Sequence, residues 1–417
     1  KSFAISAEDL EEAFDEGIGF DGSSVEGFVP LEESDMLAFP DPSTFQILPN
    51  KSARIICDIH TPHREPFEGD PRSCLKRMFV KADEKGYVAN IGPRLEYFYF
   101  ASDGKPRPIV PEPLDYAGYF DLTSLDSTTD LRRDTTMMLE HMSVPVEYNF
   151  HSSAPSQSAV ELRYAEAMTS ADNIITARYV IRAIAQANDV IASFMPKPLT
   201  NTTGSGMFLY HSLFDREGSN LFWAPKAGDS AGAVAHLSDL GAHYVAGLLK
   251  YAPEFTLICN PTVNSYKRLV PHGDAPAYTT WGRKNRTALV RVPLHKPGKH
   301  QSARVELRSP DPTANPYLAI AVTLGAGLRG IEEGLPLPEE MDTSVYDIAP
   351  AELERRGIVK LPRTLGEAID YFERSELMHE VLGEHIASYL IEVKRHEWDE
   401  YCSIVTDWER EKYYAGV

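Results

Sequence analysis

Residues 303–318 read Ala-Arg-Val-Glu-Leu-Arg-Ser-Pro-Asp-Pro-Thr-Ala-Asn-Pro-Tyr-Leu, and the alternation at their start decides what the rest of the chain must build around. Arg304, Glu306 and Arg308 alternate with Val305 and Leu307, so a strand here sends three charges to one face and the apolar pair to the other. Pro310 and Pro312 stop the strand. Asn315 then precedes Pro316, the order of an N-cap and a first helical residue, and opens the apolar run Tyr317–Leu324. Two guanidinium groups flanking a carboxylate suit the floor of an anion site; the alternative is a solvated strand edge carrying a surface ion pair.

With 417 residues the chain is long for one core, and two domains, a small and a large one, are expected. No apolar run reaches membrane-helix length, and residues 1–25 lack the pattern of a secretory signal, so a soluble, cytoplasmic protein is expected. The chain begins at Lys1 rather than Met, which leaves room for an N-terminal piece ahead of it. Cys57, Cys74, Cys259 and Cys402 form no metal-binding or disulfide pattern and are expected to be buried thiols of a reducing compartment. A formal net charge of -20 argues against nonspecific binding to nucleic acid or acidic lipid.

Short strands are expected at Phe45–Leu48 and Ala53–Ile59, beside a tight turn at Phe20-Asp21-Gly22-Ser23-Ser24. An amphipathic helix from Pro71 to Lys85, ended by Gly86, closes this first unit. Beyond it, Tyr87–Ile91, Leu95–Ala101, Val144–Tyr148, Gly206–Phe214 and Thr287–Val292 read as strands. Ser124–Met142, Ala165–Asn188, Ala233–Tyr251 and most of Thr364–Tyr413 read as helices. Strands and helices in mixed order point to an α+β fold, with a mainly antiparallel sheet and helices packed outside it.

Several stretches together resemble the glutamine synthetase family: FDGSS at Phe20–Ser24, SDM at Ser34–Met36, GYFD at Gly118–Asp121, MPKP at Met195–Pro198, GSGM at Gly204–Met207, NPTVNSYKRLVP at Asn260–Pro271, WGRKNR at Trp281–Arg286, and the stretch quoted first. They run in family order over essentially the whole chain. The resemblance implies a β-grasp N-terminal domain, placed at residues 1–88, and a catalytic-type domain over residues 89–417. It also implies a homo-oligomeric ring, a dodecamer or hexamer, with the DGSS loop completing the neighbour's active site. In the family, ATP phosphorylates the γ-carboxylate of glutamate, an amine displaces the phosphate, and divalent ions screen the charge.

At the positions that hold those ions the chain departs from the family pattern. Glu96 and Glu306 are kept, but Arg94, Ser152 and Ala159 replace glutamates, Phe208 replaces a histidine, and Tyr210 replaces the histidine that belongs with the nucleotide. From these replacements no metal site is expected, and neither ATP nor Mg2+ or Mn2+ is expected to take part unless the ligase activity persists. The anion-binding positions are kept. By resemblance, Arg268 and Arg308 hold the carboxylates of the substrate, with Gly204 beside them, and Arg283, Arg286 and Arg304 steady phosphate. Asp21, Ser24 and Tyr119 match the ammonium pocket, whose glutamate is now Ser152; Asp274 replaces a loop glutamate over that pocket, and Thr203 an asparagine near the α-amino group.

Three functions follow, in order of preference. The first is metal- and ATP-independent acid–base chemistry on a small carboxylate, amine or amide, with Asp21, Glu96, His151, Tyr210 and Glu306 as catalytic candidates and Arg94 and Ser152 among the substrate-binding ones. His151 leads for proton transfer because an unshifted imidazole titrates near neutrality; a structural, hydrogen-bonding role is its alternative. His211 is expected to point away from Phe208 and Tyr210 if those two share the inner face. The second function is a non-catalytic ring serving as scaffold or ligand sensor. The third, least favoured, is ATP-dependent ligation of glutamate to ammonia or an amine.

Overall fold

The structure, a computed structural model, describes residues 5–25, 34–48, 52–102, 104, 111–121, 126–224, 237–271, 275–294 and 299–416. Helix α1 (Ala7–Glu16) starts from a reciprocal cap in which the Ser6 hydroxyl accepts from the Asp9 amide and the Asp9 carboxylate accepts from Ser6. Strands β1 (Ile18–Asp21), β2 (Asp35–Pro40) and β5 (Cys57–His60) form a three-stranded antiparallel sheet. Strands β3 (Gln46–Ile47) and β4 (Ala53–Arg54) pair as a separate ribbon. Helix α2 (Pro71–Glu84) is capped by Asp70, whose carboxylate accepts from the amides of Arg72 and Ser73.

Arg72, at the start of that helix, ties the small sheet to the large body. Its guanidinium donates to Asp58 of β5 at 2.6 Å, to Asp41 at 2.7 Å and to Asp172 at 3.1 Å. Asp172 lies on the long helix α4 defined below. Three carboxylates outweigh the cost of burying one cation and hold its proton more tightly than usual, although burial acts the other way.

The large sheet contains β6 (Val88–Ala101), β7 (Val146–His151), β8 (Gln157–Leu162), β9 (Ala165–Glu166), β10 (Val190–Ser193), β11 (Met207–Phe214), β12 (Trp281–Gly282), β13 (Val290–Arg291) and β14 (Val305–Leu307). Its main path runs β12-β13-β14-β11-β6-β8-β7, with β9 and β10 also paired to β6; only the β12–β13 pair is parallel. Strand β6 runs through Gly92-Pro93, where a break was expected. On one side Pro93 falls between the residues paired with β9 (Asn90, Ile91) and those paired with β8 (Arg94 to Phe98), so that ladder loses nothing by its missing N–H.

Leu95, Tyr97 and Tyr99 of β6 enter the main core with the helices, while Arg94 and Glu96 point to the other, concave face. The core helices are α3 (Thr129–His141), α4 (Ala167–Ala187), α5 (Asp239–Cys259), the short α6 (Ser265–Arg268) and α7 (Pro316–Glu332). Helix α7 begins as its sequence requires, with the Asn315 side chain accepting from the amides of Tyr317 and Leu318. Helix α5 continues through Pro253, past the expected end at Tyr251. Residues 251–253 and 255–259 are buried, and their packing outweighs the lost helix hydrogen bond, a cost of about 3 kcal/mol. The expected starts of α3 at Ser124 and α5 at Ala233 lie outside the described residues. Helices α8 (Pro350–Arg355), α9 (Leu365–Glu373), α10 (Glu376–Leu382), α11 (Glu384–Ser403) and α12 (Asp407–Tyr413) finish the chain.

The four cysteines are free thiols. Cys74 and Cys259 are buried as expected, but Cys57 is half-buried on an edge strand and Cys402 is exposed near the end of α11. Among the described residues no helix is long and apolar enough to cross a membrane.

Candidate active site

Strand register builds the site. Arg94 of β6 stands opposite Glu161 of β8 on one side and Phe208 of β11 on the other, so the three occupy one row across the sheet. Two residues along, Glu96 stands opposite Ala159. In the adjoining row Gly92, Tyr210, Glu306 and Arg291 are neighbours across four strands. A period of two therefore places every one of these side chains over the concave face.

One cavity of about 690 Å³ opens over this face and is lined by Arg94, Glu96, Tyr119, Phe150, Ser152, Gly204, Phe208, Lys267, Arg268, Arg286, Arg291, Glu306 and Arg308. Glu306 is fully buried at its floor, with one oxygen 2.5 Å from Arg308 Nη1 and the other 2.9 Å from Arg291 Nη1. Burial pushes the Glu306 carboxyl up, but Arg308, Arg291 and Arg94 together outweigh it and hold it below the ordinary range. Glu96 accepts from the Ser152 hydroxyl at 3.1 Å and from the Gly206 amide at 2.9 Å. Arg268 is pinned by the carbonyls of Ser309 at 2.7 Å and Arg308 at 3.0 Å; burial lowers its pKa. Gly204 has to be glycine, since a Cβ there would lie 2.4 Å from the Pro196 carbonyl oxygen.

A second cavity, about 750 Å³, is lined by Glu147, Tyr148, Glu161, Arg163, Tyr164, Tyr210, Ser212, Lys299 and Arg304 among others. The two cavities share no lining residue, but Arg94 of the first is bonded to Glu161 of the second. Its Nε and Nη2 donate to one oxygen of Glu161 at 2.9 and 2.6 Å, and its guanidinium carbon lies 5.8 Å from the Phe150 ring centre, 5.5 Å from Phe208 and 5.6 Å from Tyr210. Arg304 stacks 5.0 Å from the opposite neighbour of that cluster, the Tyr210 ring centre, and its Nε is buried without a hydrogen-bond partner among the described residues.

The structure gathers Arg94, Glu96, Tyr119, Ser152, Gly204, Arg268, Arg286, Glu306 and Arg308 around the first cavity and puts Tyr210 and Arg304 at the second. Others lie elsewhere. His151, expected to move protons, is buried outside both cavities, with Nε2 3.1 Å from Asp115 and Nδ1 2.8 Å from the Ser152 carbonyl. Burial opposes its charge, but these two acceptors raise its pKa overall and hold the ring in place. Arg283 is committed to Glu340, 2.7 Å away, and lines neither cavity. Asp21 accepts from the hydroxyls of Ser23 and Ser24 at 2.6 and 2.7 Å at the end of β1, and neither Asp21 nor Ser24 lines either of these two cavities. Asp274 lies outside the described residues. His211 turns away from Phe208 and Tyr210, as alternation requires, onto the Tyr244 hydroxyl at 2.9 Å; burial lowers its pKa to about 3.

Sequence reasoning passed over Glu161, Arg291, Lys267 and Phe150. Glu161 was within reach: it lies two residues after Ala159 and so shares its face of a strand. It also missed the buried group Asp115, Asp126 and His151, in which Asp126 is already paired with Arg132.

As to divalent ions, the carboxylates that line the two cavities among the described residues are Glu96, Glu147, Glu161 and Glu306. Each already faces its own donors, with the Arg94 guanidinium among them. With these donors in place the carboxylates are not preset as a cage for two ions, and a divalent cation would enter with the nucleotide, whose phosphates would be further ligands.

Comparison with known proteins places this geometry in context. Residues 68–413 match the family model described as glutamine synthetase, catalytic domain, and residues 1–62 the one described as glutamine synthetase, beta-Grasp domain. The chain is 44% identical over 420 residues to a glutamine synthetase of Methanosarcina mazei, covering 100% of this chain and 92% of the relative. It is 45% identical over 425 residues to one of Mycobacterium tuberculosis, covering 100% and 93%. A solved GmaS/ADP complex superposes with a TM-score of 0.86 at 30% identity, covering 98% of this chain and 92% of that one; apo GmaS gives 0.84 at 30% identity, covering 99% and 92%.

These findings overturn the preferred functional expectation. Whole-chain relatives at 44% and 45% identity bear the name of a ligase, and a structural neighbour was solved with ADP, against metal- and ATP-independent acid–base chemistry. The expectations of a divergent pseudoenzyme with lost metal sites, and of no nucleotide or divalent cation, fall with it. The physical reason is that six ligand positions taken singly do not describe the charge of the whole face, to which Glu161 of β8 also contributes.

Proposed function

The chain belongs to the glutamine synthetase family, and on that premise we propose that it is an ATP-dependent ligase joining the γ-carboxylate of glutamate to ammonia or a small amine. One observation carries this assignment: two cavities, one rich in arginines, the other lined by tyrosines and cations, are separated by the bonded pair Arg94, which lines the first, and Glu161, which lines the second. Tyr148, Tyr164 and Tyr210 offer ring surfaces for a base, while Arg304, Lys299 and Arg163 offer charge for phosphates. In the first cavity Arg308, Arg286 and Lys267 suit the carboxylates of an acidic amino acid.

The chemistry runs in two balanced steps. An oxygen of the γ-carboxylate takes the terminal phosphoryl group, releasing ADP. The amine nitrogen then adds to the acyl carbon, expels inorganic phosphate and gives up a proton. Arg308 and Arg286 hold the acid in place while Arg304 and Lys299 draw the nucleotide towards it. Tyr119 and Ser152 border the approach of the amine. A divalent cation accompanies ATP in this proposal, because it screens the phosphates.

As in the family, the chain is proposed to work as a homo-oligomeric ring in the cytoplasm. The position of Asp21 and Ser24 outside both cavities of their own chain is consistent with their serving a neighbour. The test is ADP release, followed by a coupled assay with Mg2+, ATP, glutamate and either ammonium or methylamine. Release that needs both acid and amine supports the proposal; release that ignores either one contradicts it.

A further inference from the structure

We propose that Arg94 binds the transferring phosphoryl group, an inference that rests on the ligase assignment above. Three observations lead there. Arg94 lines the first cavity, whereas its ion-pair partner Glu161 and its neighbour Tyr210 line the second, so the guanidinium stands at the level between the two linings. A group passing from a nucleotide in one to an acid in the other crosses that level.

The second observation is how Arg94 is held. Nε and Nη2 both donate to the same oxygen of Glu161, which fixes the fork, while Nη1 has no hydrogen-bond partner among the described residues. The carboxylate thus acts as an anchor and leaves one edge of the guanidinium to donate to an incoming anion. The third is the wall around it. Phe150, Phe208 and Tyr210 each stand within 6 Å of the guanidinium carbon, so they hold the plane and keep water from part of its surface. A fixed charge in such surroundings acts more strongly on an anion than one in water.

A cation preset in this way serves the phosphoryl group better than it serves either bound reactant alone. Charge spreads over the three non-bridging oxygens as the group transfers, and a planar donor fits that spread. The adenosine diphosphate part of the nucleotide is held by other side chains, Arg304 and Lys299 among them, and should not sense Arg94.

The experiment is calorimetric titration of the full chain, with Mg2+ and glutamate present, by ADP and by the non-hydrolysable β,γ-imido analogue of ATP. The variants are Arg94→Lys, Glu161→Gln, and Arg94→Met combined with Glu161→Gln so that no carboxylate is left stranded. The proposal expects the double variant to lose affinity for the imido analogue by about tenfold or more while its ADP affinity stays within about twofold of wild type. Arg94→Lys, which keeps the charge but not the fork, falls between, and carries the test if the double variant does not fold. Equal losses for both nucleotides, or no loss for either, overturn the role of Arg94. If wild type binds neither nucleotide, the ligase assignment itself fails, an outcome distinct from the others.

Discussion

Glu306 of β14 and Arg308 just beyond its end meet at 2.5 Å at the floor of the first cavity, with Arg291 closing on the other carboxylate oxygen at 2.9 Å. The pair fixes Arg308 in place, and that fixed guanidinium is what a substrate carboxylate would meet.

Replacing Arg308 by alanine removes that donor and leaves Glu306 with Arg291 alone. The kcat/KM for glutamate should fall by about a hundredfold, the size expected for a lost charged hydrogen bond in a partly desolvated site. Steady-state kinetics with glutamate as the varied substrate measures it, and an unchanged kcat/KM would remove Arg308 from substrate binding.

Glu306→Gln tests the same relationship through stability. Because the folded-state pKa of Glu306 is depressed, its contribution is present above the unfolded value, about 4.3, and is lost as pH falls through the lower folded value. Wild type should therefore exceed the variant by about 3 kcal/mol near neutrality, with the gap closing below about pH 4. Denaturant unfolding at several pH values reads the gap, and a gap that widens in acid would reverse the assignment.

His151 makes the opposite pH prediction. Its folded-state pKa is raised, so its contribution is fully present below about pH 6.5 and disappears as pH rises through the folded value. The loss of melting temperature in His151→Gln should be larger at pH 6 than at pH 9, while the shape of the pH–rate profile stays that of wild type. A variant that instead erases one limb of the profile would make His151 a proton carrier after all.

The alternation at residues 303–308 made the floor legible, and the cap at Asn315 with Pro316 made the helix behind it legible, because both depend only on neighbours in sequence. Pairing across strands was not legible. That Arg94 would find Glu161 depends on the register of β6 against β8, and that His151 would be consumed by Asp115 depends on a loop 36 residues away. The full length of α5 was not legible for a similar reason, since a proline is tolerated there by tertiary packing that no local propensity encodes. Function was hidden for the same reason. No single ligand position carries the charge of the face, which five strands set together.

Arg72→Ala should show how firmly the small sheet is attached. It leaves Asp41, Asp58 and Asp172 facing one another without their shared cation, and a loss of about 3–5 kcal/mol is expected, read as a lowered melting temperature. A shift indistinguishable from wild type would mean that the ion cluster contributes no more than a surface pair.

The most direct measurement uses glutamate carrying 18O in its γ-carboxylate, with ATP, Mg2+ and ammonium or methylamine, and mass analysis of the phosphate released. Ligation through a phosphorylated carboxylate predicts one 18O atom in each phosphate formed from fully labelled acid. Phosphate free of label, formed alongside the amide product, would contradict it.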